Sequence, residues 1–230
     1  MSRIILLVIA FCIGDIGLSG IKLSAAKRVI NKINYLPFDS KSDGCFARAL
    51  YMGMELTSAG IASSNQYFFG NLKPSRSINW NYHVAPMVEV GGAAGFAIFD
   101  PSLSKQPVTR RKWFQLNRPK GRSEAYVTPI TYYKKKGVQT MSQKGRPGFT
   151  MRSRIRSLSQ LPRFRIDHIA NACKTAWVHI GKEKLSKRKV YRKRRRLVER
   201  TRYLVKSLKS LGKVSSAVRL SSCSRGTYYR

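Results

Sequence analysis

Cys45 opens the run C-F-A-R-A-L-Y-M-G-M-E-L-T-S, which is rich in helix formers and places Phe46, Ala49, Leu50 and Met54 at three- and four-residue intervals. The spacing predicts a helix over residues 45–58, with Gly60 just past its C-terminal cap. A cysteine at the first position of a helix meets the positive end of the macrodipole and backbone N–H groups with no partner inside the helix, and both favour negative charge on sulfur. Such a thiolate is a nucleophile for acyl transfer. Gly44 permits tight backbone geometry before it, and the N–H of Cys45 is placed to donate to an oxyanion. Attack also needs a base and a group to orient that base. His83, in W-N-Y-H-V-A, and Asp100, in F-D-P-S-L, supply the residue types.

The elements that must position this trio follow from the pattern around it. Residues 66–72, 80–90 and 96–99 are rich in aromatic and β-branched side chains and read as strands. The glycine-rich segment 91–95 joins the last two as a hairpin, bringing His83 within a residue or two of a position opposite Asp100. Pro86, inside the middle run, predicts a bulge or an edge position. Before Cys45, residues 28–35 form a short helix and 36–44 a loop of turn formers. From Lys105 onward, basic residues interleave with Trp113, Phe114, Tyr126, Tyr132, Tyr133 and Phe149; residues 166–180 read as helical and 182–211 as a basic helix. There is no internal repeat.

Each of the three residues has an ordinary structural use when taken singly: a buried thiol as a small hydrophobe, a strand histidine as packing, Asp100 before Pro101 as a turn residue. The surrounding blocks are more specific. They are D-G-C-F-A-R-A at 43–49, F-G-N-L-K at 69–73, W-N-Y-H-V-A at 80–85, D-P-S-L at 100–103 and P-V-T at 107–109. In sequence, order and spacing the stretch 43–109 resembles the bacterial secreted protein-glutamine glutaminases, which deamidate glutamine side chains in intact proteins. The resemblance implies Cys45 as nucleophile, His83 as general base and Asp100 as orienter. It also implies an α+β fold with a papain/transglutaminase-like core, the cysteine at a helix N-terminus packed on an antiparallel sheet that carries the histidine and the aspartate.

The implied reaction passes through a thioester on Cys45, releases ammonia and leaves glutamate, with no cofactor. No His/Cys cluster has metal-ligand spacing. Trp80 and Tyr82 can line an acyl slot or simply pack the hairpin. The triad alone does not distinguish deamidation from transfer to a lysine amine or cleavage of a backbone amide. A different class, a secreted cationic binding protein in which these residues are structural, also remains open.

Charge divides the chain. The 230 residues carry 45 Lys and Arg against 10 Asp and Glu, a net +35, and beyond Ser104 the acids are only Glu124, Asp167, Glu183 and Glu199. That half calls for an anionic partner: an anionic surface, a nucleic acid or acidic substrate proteins. Its densest cations, Lys187, Arg188, Lys189, Arg192, Lys193, Arg194, Arg195 and Arg196, are the expected anion-binding residues. At the N-terminus, Arg3 precedes an apolar run of about ten residues, too short for a hydrocarbon core of roughly 30 Å, and then small residues. That order is a secretory signal peptide, with cleavage between Gly17 and Lys27, and predicts a secreted or periplasmic protein. Export removes Cys12 and leaves Cys45, Cys173 and Cys223; a Cys173–Cys223 disulfide then leaves Cys45 as the thiol. The expected organisation is a signal over 1–26, a catalytic domain over 27–165 and a basic helical extension over 166–230.

Overall fold

The computed structural model describes residues 21–38, 44–91, 95–129 and 161–214. The expected signal, except for its last residues, and Cys223 lie outside them. In chain order the elements are α1 (Leu23–Ile30), α2 (Cys45–Ser58), β1 (Ser64–Ser75), β2 (Ile78–Glu89), β3 (Phe96–Ile98), β4 (Val108–Thr109), α3 (Arg110–Asn117), β5 (Pro119–Pro129), α4 (Ile166–Lys182) and α5 (Lys187–Ser210). The strands form one antiparallel sheet in the order β4-β3-β2-β1-β5. The class is α+β, as expected.

The helix headed by Cys45 has the expected bounds, and its end follows from hydrogen bonding. Ala59 is the C-cap, Gly60 takes φ 74°, and the N–H groups of Gly60 and Ile61 reach back to the carbonyls of Thr57 (3.0 Å) and Leu56 (2.8 Å). That is a Schellman motif, which glycine accommodates without a Cβ clash. The apolar stripe understates the burial, because every residue of α2 from Cys45 to Thr57 is buried. The helix is central, with β2 against it as well as α1, α4 and α5.

Alternate strand residues enter two clusters on opposite sides of the sheet. Tyr67, Phe69, Val84 and Val88 join α1, α2, α4 and α5 in the larger one; Phe68, Ala85, Met87 and Ile98 meet Trp113 of α3 in the smaller one. Pro86 differs from expectation. It lies in an interior strand, and the register of β1 on β2 is unbroken through it, the irregularities falling between Phe69 and Leu72 and between Leu72 and Ser75. The reason is local: the regular pairing of β2 with β3 stops at Met87, so Pro86 need only accept, which its carbonyl does from the N–H of Phe99 at 3.0 Å. Helix α1 starts before the expected 28–35 and ends at Asn31, whose successors form turns. The basic helix starts at Lys187, after a break at residues 183–186.

Helices α4 and α5 pack on α2 within the larger cluster. Leu197, Thr201, Leu204, Val205 and Leu208 form the buried face of α5. The Tyr51 and Thr201 hydroxyls meet at 2.6 Å and those of Ser58 and Ser207 at 2.7 Å, so α5 runs parallel to α2. Between these pairs, buried Glu55 of α2 accepts from Arg200 Nε (2.7 Å) and Nη2 and from the Tyr35 hydroxyl (2.9 Å). Burial, followed by the charge of Glu55, holds the Tyr35 phenol well above its ordinary pKa, so it remains a donor. Removing one partner of a buried pair leaves the other charge uncompensated. Arg200→Met is therefore expected to destabilise the fold by about 2–4 kcal/mol in denaturant unfolding.

Candidate active site

Gly44 and Cys45 form the N-terminus of α2. Gly44 has φ 133°, a conformation L side chains rarely adopt, and a Cβ there would lie 3.0 Å from Cδ2 and Nε2 of His179 on α4. Glycine is thus favoured by conformation, and a Cβ would also press on the His179 ring. The Gly44 carbonyl accepts from the N–H groups of Ala47 and Arg48, both at 3.1 Å, so the N–H of Cys45 precedes the first intrahelical bond. Cys45 is buried and is the free cysteine among the described residues. Cys173, on α4, is fully buried and disulfide-bonded.

The hairpin of β2 and β3, with Glu89 opposite Phe96, brings His83 and Asp100 together. His83 Nε2 donates to Asp100 Oδ2 at 2.7 Å, and the two residues are 1% and 4% exposed. Asp100 is held from every side. Trp113 Nε1–H donates to the same Oδ2 at 2.7 Å, while Oδ1 accepts from the Ser102 N–H at 3.2 Å and from the Ser102 hydroxyl. The imidazole itself stacks with Trp80, at 4.4 Å between ring centroids, and with Trp113, at 5.6 Å, both near parallel. With Nε2 bound to Asp100, Nδ1 is buried and among the described residues has no partner in hydrogen-bond geometry, yet Cys45 is near enough to favour the proton on the ring. The thiol–imidazole contact is therefore loose, as is common before substrate binds.

Electrostatics follow from this enclosure. Burial opposes charge on His83, but the Asp100 carboxylate, its hydrogen bond and Cys45 outweigh that and raise the pKa from 6.5 to about 9. Burial likewise opposes charge on Asp100, but the His83 charge and the bonds from His83, Ser102 and Trp113 bring it from 3.8 down to about 2. The pair thus stabilises the fold fully between about pH 4 and 6.5, and its contribution is lost as pH rises through about 9 or falls through about 2. Trp113→Phe removes one donor to a charged acceptor, worth about 1.5–3 kcal/mol. It is expected to lower kcat about tenfold and, because that bond helps hold the Asp100 pKa down, to move the acid limb of the pH–stability profile upward, measurable in one titration series.

The two aromatic residues expected at an acyl slot separate. Trp80 is partly buried beside the imidazole, whereas Tyr82 packs on the larger cluster against Tyr67 and Phe69, with centroids 6.5 and 6.0 Å away. Trp113, Ser102 and His179 were not singled out from the sequence. Ser102 carries a usable signal, since an aspartate followed two residues later by serine is an Asx-turn pattern. Trp113 and His179 reach the site only through tertiary packing.

A thiol at a helix N-terminus, an imidazole and a buried carboxylate are the residue types that cysteine-dependent acyl transfer uses. Residues 22–116, which hold all three, match the family model described as glutaminase. The chain is also similar to two solved structures. The NMR structure of protein-glutaminase from Chryseobacterium proteolyticum is 28% identical over 50% of this chain and 76% of that one, with a TM-score of 0.44. A crystal structure of protein-glutaminase is 23% identical over 59% of this chain and 98% of that one, also with a TM-score of 0.44. Among curated proteins, none matches the chain.

Proposed function

We propose that the chain is a protein-glutamine glutaminase that hydrolyses glutamine side-chain amides in proteins to glutamate and ammonia through Cys45, His83 and Asp100, on a papain/transglutaminase-like core. The observation that carries this reading is the His83–Asp100 hydrogen bond of 2.7 Å, with the remaining ring nitrogen left for the Cys45 thiol, inside a segment that matches the family model described as glutaminase. In the first half-reaction Cys45 Sγ bonds to the side-chain amide carbon, and the N–H of Cys45 donates to the oxygen as it becomes negative. His83, charged by the thiol proton, then gives that proton to the departing nitrogen, which leaves as ammonia. In the second half-reaction His83 takes a proton from water, whose oxygen displaces sulfur to give glutamate and restore the thiol. Asp100 stays ionised and holds the ring in the tautomer with Nδ1 toward sulfur.

Product analysis tests this reading against the related reactions of the same triad. Incubation with a glutamine-rich protein is expected to release ammonia with chain length and monomer state unchanged. Isopeptide cross-links, which form with release of ammonia as well, or new N-termini, would replace deamidation by transglutamination or proteolysis.

The chain is further proposed to be exported, secreted or periplasmic, by its N-terminal segment. Among the described residues no helix is long and apolar enough to cross a membrane. Helix α1 begins at Leu23, and its Ala26 is fully buried in the core, so cleavage before Leu23 keeps the helix whole. N-terminal sequencing of the exported protein is expected to read a start between residues 18 and 23; a start beyond Ala26 would contradict it. The proposed partner of the Cys173 disulfide is Cys223.

A further inference from the structure

The first turns of α5 stand at the same end of the molecule as the nucleophile. Moving from Ser58 back to Tyr51 on α2 matches moving from Ser207 back to Thr201 on α5, so the Cys45 end of α2 lies beside the part of α5 that precedes Thr201. The end of α4 reaches the same level. His179 abuts Gly44, the Trp177 carbonyl accepts from Arg194 Nε at 3.2 Å beneath the guanidinium–indole stack of 4.8 Å, and buried Glu183 pairs with Lys193 at 2.7 Å. Lys193 and Arg194 are thus committed to holding the α4–α5 corner, and Arg195 pairs with Glu199 at 2.8 Å. Lys187, Arg188, Lys189, Arg192 and Arg196 are exposed, and among the described residues none of the five is ion-paired. They span about 14 Å of helix, comparable with the Debye length of about 10 Å at 0.1 M salt, so their fields add at this end of the molecule.

We propose that this cationic corner selects the substrate: it binds acidic polypeptide segments and so directs the Cys45 site to glutamines flanked by Glu and Asp. The inference rests on the deamidase reading above. An acidic polypeptide is favoured over other polyanions because the cations border the catalytic end, where the bound chain must itself present the reacting side chain. Arg-rich surfaces suit carboxylates, which the guanidinium can bind in bidentate fashion. The apolar face of α5 is buried in the core, which leaves the helix no stripe to insert into a lipid surface.

Two labelled, blocked peptides serve as probes, each with one central glutamine, flanked by glutamates in one and by serines in the other. Binding is followed by fluorescence anisotropy with Cys45→Ala protein, and deamidation by wild-type protein in parallel. The acidic peptide is expected to bind about tenfold or more tightly than the neutral one at about 50 mM salt, with the advantage fading by about 0.5 M. Arg188→Gln, Arg192→Gln and Arg196→Gln combined are expected to bring the ratio of the two affinities, and the ratio of the two kcat/KM values, close to one. Equal binding of both peptides overturns the proposal, as does a preference that survives the triple variant. Capture of a DNA duplex through the same residues, without preference between the peptides, overturns it too. Selective binding without any deamidation would leave the corner's selectivity standing and sink the deamidase reading; deamidation without flank preference would do the reverse.

Discussion

Cys45→Ala is expected to lower glutamine deamidation by about 10⁵-fold or more, to the level of the protein-free reaction within assay error. The size follows from the roles. With no sulfur there is no thioester, and the Cys45 backbone N–H and His83 are left without a nucleophile to serve. His83→Ala is expected to cost nearly as much, and the double variant little more than either single one, because residues that act as one unit do not contribute additively. Two single losses that multiply in the double variant would mean that the thiol and the ring act independently. Cys45 is buried and heads a helix buried on all sides, so loss of activity must be read beside stability. Replacing the sulfhydryl by hydrogen at that site leaves the rest of α2 its packing, and the unfolding midpoint of Cys45→Ala is expected to stay close to that of wild type.

Asp100→Asn should reduce kcat by about 10³–10⁴-fold while leaving the backbone in place. The carboxylate accepts from His83, Trp113 and Ser102, and an amide in its place turns one acceptor into a donor that faces two donors. The ring then loses the charge that holds its tautomer, with burial still opposing the imidazolium. In the wild type the alkaline limb of kcat/KM should lie near pH 9, because His83 must be charged to protonate the leaving nitrogen. In Asp100→Asn that limb should fall, since the raising interaction with Asp100 is gone and desolvation is then opposed by Cys45 alone. An alkaline limb unmoved by the substitution would show that His83 does not set it.

The site residues were more legible in the sequence than the structure that holds them. A glycine–cysteine step at the start of an apolar-striped run, and a histidine and an aspartate on two runs joined by glycines, are local patterns, and α2, β2 and β3 follow them closely. What escaped was set by distant packing. Trp113 lies on a helix whose neighbours are mostly basic, and only β4 and α3 folding over β3 bring its indole to Asp100. Strand β5 carries Lys120, Arg122 and Glu124 and lacks a clean alternation, yet it pairs with β1 along its length because β1 otherwise ends as an edge. Pro86 broke a local rule harmlessly because β3 is short. The buried face of α5 was masked by its charge: Leu197, Thr201, Leu204, Val205 and Leu208 recur at helical spacing, but the basic residues between them dominate the composition.

The most direct test of the chemistry is peptide-level mass spectrometry of a glutamine-rich protein after incubation with wild type and with Cys45→Ala. Deamidation through Cys45 requires a gain of about one dalton at glutamines, with matching ammonia, in the wild-type sample alone, because hydrolysis of the thioester exchanges NH₂ for OH. The same gain in both samples, or no gain in either with both proteins folded, would contradict it.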